Sequence, residues 1–240
     1  MPTIKTKAIV FSSLKYGDSN LIVKCFTEKE GLKSYFLRGV LKTKKGKLKP
    51  AYFQPLTQLQ IVANHNNKEN LNSLKEVQVI SNYETIPNNI IKQTIILFLS
   101  EVLSNIIREE EQNIQLFNYL ETTLIWLDTH DSIANFHLLF LLNLSRFLGF
   151  YPNTSQSEKP VFNLLEGNFT DNLDKNATIS GDQLLQFKKL LGINFDAIEK
   201  VSFSKNQRQQ VLQIIIRYFE LHLEGFRHPK SLTILKTIFS

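Results

Sequence analysis

The hydrophobic pattern of the chain changes its period near residue 87, and this change limits the possible folds more than any other feature. Before it, apolar residues alternate with polar ones, as Ile4 to Val10 do with Lys5 and Lys7, which is typical of half-buried strands. After it, apolar residues recur every three or four positions from Ile90 to Ile106, the period of an amphipathic helix. The pattern predicts an α+β protein with a β domain over residues 1–82 and a mainly α-helical domain over residues 83–240.

The β domain is predicted to hold five strands with short connections and no long helix between them. Its turns are marked by composition, at Tyr16 to Asn20 and at Lys29 to Gly31. Five strands in about 80 residues suit a small closed barrel of the OB type. The predicted strands cover residues 4–10, 21–27, 32–40, 55–63 and 74–80.

The helical domain is interrupted by residues 150–179, a segment rich in Asn, Ser and Thr that is predicted to be an irregular insertion with a short hairpin at 162–169. Two capping boxes are expected after it, Ser180 with Gln183 and Ser204 with Gln207. The predicted helices cover residues 90–106, 114–127, 133–148, 180–191 and 204–223, with a last short helix after Pro229.

Positive charge is concentrated at the N-terminal end of the chain. Residues 1–60 contain 12 of the 28 Lys and Arg residues but three of the 22 Asp and Glu residues, so the remainder is slightly acidic. This distribution predicts a polyanionic partner for the β domain and an ordinary scaffold or protein-binding role for the rest.

A segment between two predicted strands places five lysines within eight residues. Like charges this close repel one another, so a role in neutralising phosphates explains them better than a role in stability, although a solvated loop is the alternative. Lys5, Lys7 and other cations on the neighbouring strands are expected to extend the patch. The predicted phosphate-binding residues are Arg38, Lys42, Lys44, Lys45, Lys47 and Lys49, with Lys24 and Lys33 as weaker candidates.

Aromatic residues near these cations could either stack on bases or pack in the core. Tyr35 and Phe36 are adjacent in a predicted strand and should point to opposite faces, so at most one of them is expected to stack. Tyr35 is included in the predicted site as a weaker candidate. The aromatic residues considered are Tyr16, Tyr35, Phe36, Tyr52 and Phe53.

The sequence offers little for an enzyme. It has no GxxxxGK[ST] and no GxGxxG motif, so ATP is not expected, and its one cysteine excludes disulfides and a cysteine-based metal site. Asp128, His130 and Asp131 suit a connection between helices with an N-cap, and residues 109–111 suit a solvated helix end. No catalytic residue is predicted. Without a signal peptide or an apolar run long enough to span a bilayer, a cytoplasmic protein is expected.

Several motifs, in this order and spacing over about 230 residues, resemble the bacterial DNA repair and recombination mediator family RecO. None is diagnostic alone, so the resemblance depends on their order. The motifs are Thr6–Phe11, Tyr16–Val23, Phe26–Gly31, Leu37–Val40 followed by lysines, Phe53–Leu56, Leu74–Val77, Phe147–Pro152, Phe162–Gly167 with Phe169, Glu220–Phe226 and Lys230–Leu232.

The resemblance implies an N-terminal OB domain, a helical domain and a zinc-ribbon-like insertion at residues 150–179. Many relatives bind zinc there through four cysteines, but this segment has none, so zinc is not expected. The family binds single- and double-stranded DNA, anneals complementary strands without ATP and helps load RecA onto coated single strands at the nucleoid. Its partners are RecR and the acidic tail of single-stranded DNA-binding protein, for which Arg146, Arg217 and Arg227 are possible contacts.

Two other functions stay open. The basic domain could bind an acidic protein as a scaffold and not touch DNA. A nuclease would need clustered carboxylates or histidines, which the sequence does not offer.

Overall fold

The computed structural model describes residues 3–42, 48–65, 71–108, 110–174 and 177–239. The chain forms two compact units, one of residues Met1–Thr129 with Pro229–Ser231 and one of residues His130–His228 with Leu232–Ser240. The first unit contains a five-stranded sheet and two helices, and the second contains the other helices with a small sheet. The predicted α+β class is confirmed. None of the helices in these ranges is long and apolar enough to cross a bilayer.

The sheet of the first unit has the OB topology. Its strands are hydrogen-bonded in the order β3-β2-β1-β4-β5, and every neighbouring pair is antiparallel. The two edge strands meet through an isolated parallel bridge between Tyr35 and Asn72, so the prediction of a closed barrel is corrected to a partly open one. The strands are β1 (Thr3–Tyr16), β2 (Asn20–Thr27), β3 (Gly31–Leu37), β4 (Gln58–Asn64) and β5 (Ser73–Val79).

Alternate side chains of these strands fill the interior of the sheet with apolar groups. Three polar side chains beside this core are linked by hydrogen bonds. Tyr35 is fully buried, and its hydroxyl is hydrogen-bonded to Nε2 of His65 at 2.9 Å. Nδ1 of His65 is paired with the Glu30 carboxylate. Burial, with the nearby Cys25 and Glu30, raises the pKa of the Tyr35 phenol, so it stays neutral.

A β-bulge between Val10 and Ser12 changes which residues of β1 face the interior. Before the bulge Val10 pairs with the inward Cys25, whereas after it Ser13 pairs with the inward Val23. Because directly paired residues share a face of the sheet, the even-numbered residues of β1 point inward before the bulge and outward after it.

Two helices of the first unit cover part of the outer face of the sheet. Phe26 on β2 packs against Phe117 with ring centroids 6.2 Å apart, and Nζ of Lys7 lies 2.8 Å from a carboxylate oxygen of Glu121. The side chain of Asn89 caps the first helix by accepting hydrogen bonds from two backbone N–H groups. The helices are α1 (Ile90–Ile106) and α2 (Ile114–Thr129).

Asp128, at the end of α2, has a structural role. Its carboxylate accepts hydrogen bonds from the backbone N–H groups of Glu84, Thr85 and Ile86 at 2.8–3.0 Å, and the buried Lys92 donates to its backbone carbonyl at 2.8 Å. Burial alone would raise the pKa of Asp128, but these hydrogen bonds outweigh it and lower the pKa. Asp128 therefore holds residues 84–86, which lead into α1, whereas the sequence predicted a place for it in a connection between helices.

The second unit is built around α3, which is buried on nearly all sides. Ser204 forms the predicted capping box with Gln207, whereas Ser180, the last residue of a strand that pairs with Val161, makes no side-chain cap. The elements of this unit are α3 (Phe136–Phe147), β6 (Val161–Asn163), β7 (Asn168–Thr170), β8 (Thr178–Ser180), α4 (Gly181–Lys188), α5 (Lys205–His222) and α6 (Leu232–Ile238).

The predicted insertion contains a three-stranded sheet in the order β7-β6-β8, with an aromatic core in place of cysteines. Phe162 is fully buried and contacts Phe169, Phe187 and Tyr218, with ring centroids 5.0–6.1 Å apart. The Tyr218 hydroxyl donates to the Phe150 carbonyl at 2.6 Å. Residues 150–179 contain neither Cys nor His, so they do not suit zinc, and apolar packing stabilises the insertion.

Candidate nucleic-acid interface

The segment that follows β3 is tied to the turn between β1 and β2. Asn20 Oδ1 accepts a hydrogen bond from the Gly39 N–H, and the Ser19 carbonyl accepts one from the Leu41 N–H, both at 2.9 Å. Gly39 has φ +69°, a conformation that glycine adopts without strain. The tight turn therefore brings residues 38–42 beside the β1–β2 turn. Residues 14–20 and 38–42 together are called the hairpin tip below.

The described part of the lysine segment and its neighbours presents unpaired cations. Arg38 and Lys42 at the hairpin tip are exposed, as are Lys15 on β1 and Lys49 on the other side of the segment. No carboxylate within the described ranges forms a salt bridge with any of the four. They are therefore free to meet the phosphates of a ligand.

The centre of the predicted patch, Lys44, Lys45 and Lys47, lies outside the described residues, so its role stays a prediction from sequence. Both flanks of the segment belong to the sheet, since Val40 is buried in its core and Leu48 packs against that core.

The strand lysines do not extend this surface in the predicted way. Lys24 donates through Nζ to the Ser104 carbonyl at 3.0 Å, in the last turn of α1, where the helix dipole favours a cation. Burial, and then the charge of Arg108, lower the pKa of Lys24. Nζ of Lys33 lies 3.6 Å from the Glu110 carboxylate. Both side chains therefore serve contacts between the sheet and the residues around α1.

The aromatic residues divide between core and surface. Tyr35 and Phe36 point to opposite faces as predicted, but Tyr35 is the inward one, so the base-stacking role considered for it is wrong because its ring is enclosed. Phe53 is also buried in the core, and Tyr52 packs against it. Tyr16, in contrast, is exposed at the hairpin tip and lies edge-on to Phe36, with ring centroids 6.0 Å apart.

Sequence reasoning did not include Lys15 in the site. It considered Tyr16 for base stacking, but it placed this residue in a turn and left it out of the predicted site. The strand was expected to end near Val10 because the alternation breaks there, whereas β1 continues through the bulge to Tyr16. The pairing of Leu14, Lys15 and Tyr16 with β2 is what places them at the site. A run of three β-compatible residues just before a Gly-Asp turn was the available signal.

The exposed cations of this arrangement can bind anions. In the described ranges, no group of three or more His, Cys, Asp or Glu side chains is placed to hold a metal ion. The buried Cys25 has a thiol pKa raised by burial, so it is not a reactive thiolate.

Comparisons with known proteins identify the family of the chain. Residues 1–83 match the family model described as Recombination protein O N terminal, and residues 87–232 match the one described as Recombination protein O C terminal. The chain is 49% identical over 236 residues to the DNA repair protein RecO of Christiangramia forsetii, covering 98% of this chain and 99% of that protein. It is 49% identical over 237 residues to the RecO protein of Flavobacterium johnsoniae, with 99% of each covered, and 38% identical over 239 residues to that of Bacteroides fragilis, with 98% of each covered. The chain therefore belongs to the RecO family of DNA repair proteins.

Proposed function

We propose that this chain is a non-catalytic mediator of DNA repair and homologous recombination that binds single- and double-stranded DNA through the hairpin tip and the adjoining lysines. The observation that carries the proposal is the set of exposed, unpaired cations Arg38, Lys42 and Lys49 on the OB-type domain of a RecO-family chain. In this role the protein anneals complementary strands without ATP and helps load RecA onto coated single strands at the nucleoid.

The physical basis is charge neutralisation. Lysine and arginine contacts to phosphates release condensed counterions, so binding is sequence-independent and salt-sensitive. Screening the phosphates of two strands lets them approach, while the base edges remain free to pair. Annealing then needs no nucleotide, consistent with a chain that has no nucleotide-binding motif.

The proposed partners are RecR and the acidic tail of single-stranded DNA-binding protein. Of the three arginines considered for the tail, Arg146 lies over the Tyr151 ring at 3.6 Å from its centroid, and Arg217 pairs with Glu220 at 3.3 Å. Arg227 is exposed. It is therefore the first of the three to replace when tail binding is measured.

The test is a DNA titration with a matched charge reversal. Lys42→Glu removes a proposed phosphate contact, whereas Lys5→Glu makes the same change at the opposite end of β1. We expect Lys42→Glu, and more strongly Lys44→Glu with Lys45→Glu, to weaken binding of a 30-mer single strand. The slope of log affinity against log salt should fall by roughly 0.7–0.9 for each phosphate that the variant no longer neutralises. Lys5→Glu should have a smaller effect on both.

The outcome also separates the other functions. A protein-binding scaffold would not bind the 30-mer at moderate salt. Equal affinities of the wild-type and Lys42→Glu proteins would show that Lys42 does not contact the DNA. Nucleotide-free annealing of complementary strands supports the mediator role. Metal-dependent cleavage by pure protein would favour a nuclease instead.

A further inference from the structure

The outer face of the hairpin tip carries large apolar side chains that the described part of the first unit leaves open. Leu14 is 64% exposed and Tyr16 is 58% exposed, although both lie within a regular β ladder. They are paired with Ile22 and Asn20 on β2, and Phe36 on β3 is paired with Ile22. Leu14, Tyr16, Ile22 and Phe36 therefore form one continuous surface on three adjacent strands.

The same face of the sheet is covered further along. There Phe26 meets Phe117 of α2, and Lys24 reaches the last turn of α1. Beyond Lys24 the surface passes from covered to open, and Tyr16 and Phe36 lie in the open part with their rings nearly perpendicular, at 82°. Exposed aromatic side chains grouped in this way, next to a packed interface, are typical of a binding surface.

The charges around this surface are those that a nucleic-acid strand requires. Arg38 follows Phe36 by two residues and is exposed, whereas Lys15 pairs with the inward Leu21 and therefore lies on the opposite face of β1 from Leu14 and Tyr16. Lys42 is held at the tip by the hydrogen bonds that tie residues 39–41 to the β1–β2 turn. Asp18, exposed in that turn, is the one acidic residue in the sequence ranges 12–24 and 32–42. Cations interleaved with exposed aromatic rings are the arrangement by which proteins bind single strands.

We propose that Tyr16, supported by Phe36, stacks on an unpaired base of a single strand whose phosphates contact Arg38 and Lys42. The proposal rests on the proposed function, because the strand must first be bound by its phosphates. Bases within a duplex are already stacked on one another and do not offer a free face. The aromatic pair therefore gives the hairpin tip a preference for single strands that the lysines alone do not supply.

The test separates bases from phosphates with two oligonucleotides of the same length and charge. One is a thymine 30-mer, and the other replaces the central ten nucleotides by abasic sites. We expect the wild-type protein to bind the thymine strand at least about fivefold more tightly, the lower end of the effect of removing a stacking aromatic. Tyr16→Ala should bind both strands with the lower affinity, and Tyr16→Phe should keep the preference.

A second measurement reports contact directly. In a Tyr16→Trp variant, the tip tryptophan should be quenched by the thymine strand and less by the abasic strand, with wild-type protein giving the background from Trp126. Equal wild-type affinities for the two strands, or a loss in Tyr16→Ala that is the same on both, would overturn the stacking proposal while leaving phosphate binding intact. Failure of the wild-type protein to bind either strand would instead overturn the proposed function.

Discussion

At the residue scale, Tyr35 and Phe36 show how far sequence reasoning reaches. Alternation in a strand is enough to predict that these neighbours face opposite sides. It does not tell which side is the interior. The structure places Tyr35 inside, where its hydroxyl meets the imidazole of His65, 30 positions away. Lys24 is similar, since its partner Ser104 is 80 positions away. Both residues look like candidates for DNA contact until these long-range partners are known.

Replacing Tyr35 by Phe should therefore affect stability and leave DNA binding unchanged. The substitution removes the hydroxyl and leaves Nε2 of the buried His65 without that partner, which costs about 1–3 kcal/mol. Urea denaturation should show a lower midpoint for Tyr35→Phe, and Tyr16→Phe, where the side chain is exposed, should stay within about 0.5 kcal/mol of wild type. If Tyr35→Phe lost DNA affinity while its stability stayed unchanged, Tyr35 would have to contact the DNA.

At the scale of elements, sequence patterns located most strands and helices but not the features that join them. The apolar residues from Ile90 to Ile106 predicted a helix of about 20 residues, and the observed α1, Ile90–Ile106, has 17. The capping box expected at Ser180 is absent. Residues 178–180 form β8, which pairs with β6, a strand that ends 15 positions before β8 begins. The hairpin predicted at residues 162–169 corresponds to β6 and β7, whereas the third strand, β8, carries too little periodicity over three residues to be recognised.

Two glycines test whether the aromatic core stabilises the insertion. Both Gly149 and Gly167 have positive φ, but a Cβ at Gly149 meets no atom within 4 Å, whereas one at Gly167 would lie 2.6 Å from the Tyr218 hydroxyl oxygen. That hydroxyl is held by its hydrogen bond to the Phe150 carbonyl. Gly149→Ala should cost about 1–2 kcal/mol from backbone strain, and Gly167→Ala should cost about 1–3 kcal/mol more from overpacking.

Thermal unfolding of the two variants provides the comparison. Because the extra cost arises from the clash with the Tyr218 hydroxyl, adding Tyr218→Phe to Gly167→Ala should recover part of the loss. Equal unfolding temperatures for Gly149→Ala and Gly167→Ala would show that Tyr218 does not constrain the turn.

At the scale of the whole molecule, the pKa values of titratable groups are lowered by different causes in the two units. In the first, hydrogen bonds to Asp128, and to Glu101 from Lys230 and Ser231, outweigh burial and lower the pKa of both carboxyl groups. In the second, burial and then the charge of Arg208 lower the pKa of His137 to about 3. All three groups have folded pKa values below their unfolded values, so the unfolded chain binds more protons on acidification and stability falls.

The pH windows differ, so acid should weaken the second unit first. The contribution of His137 is present above its ordinary pKa of 6.5 and is lost progressively below it, whereas those of Asp128 and Glu101 are lost only below about pH 4. Hydrogen exchange between pH 7 and pH 4 should show faster opening around α3 than around Asp128. Asp128→Asn, which places an amide donor against backbone N–H groups, should cost on the order of 2 kcal/mol at neutral pH without changing the loss between pH 6.5 and 4.

The bulge in β1 has a consequence for how such a surface can arise or disappear. With the same residues but no bulge, unbroken alternation from Val10 would turn Leu14 and Tyr16 inward and place Ser13 and Lys15 on the outside. The total charge of the domain would not change, yet its outer surface would become hydrophilic. One extra residue in the pairing of β1 with β2 thus decides whether this strand offers an aromatic ring to solvent.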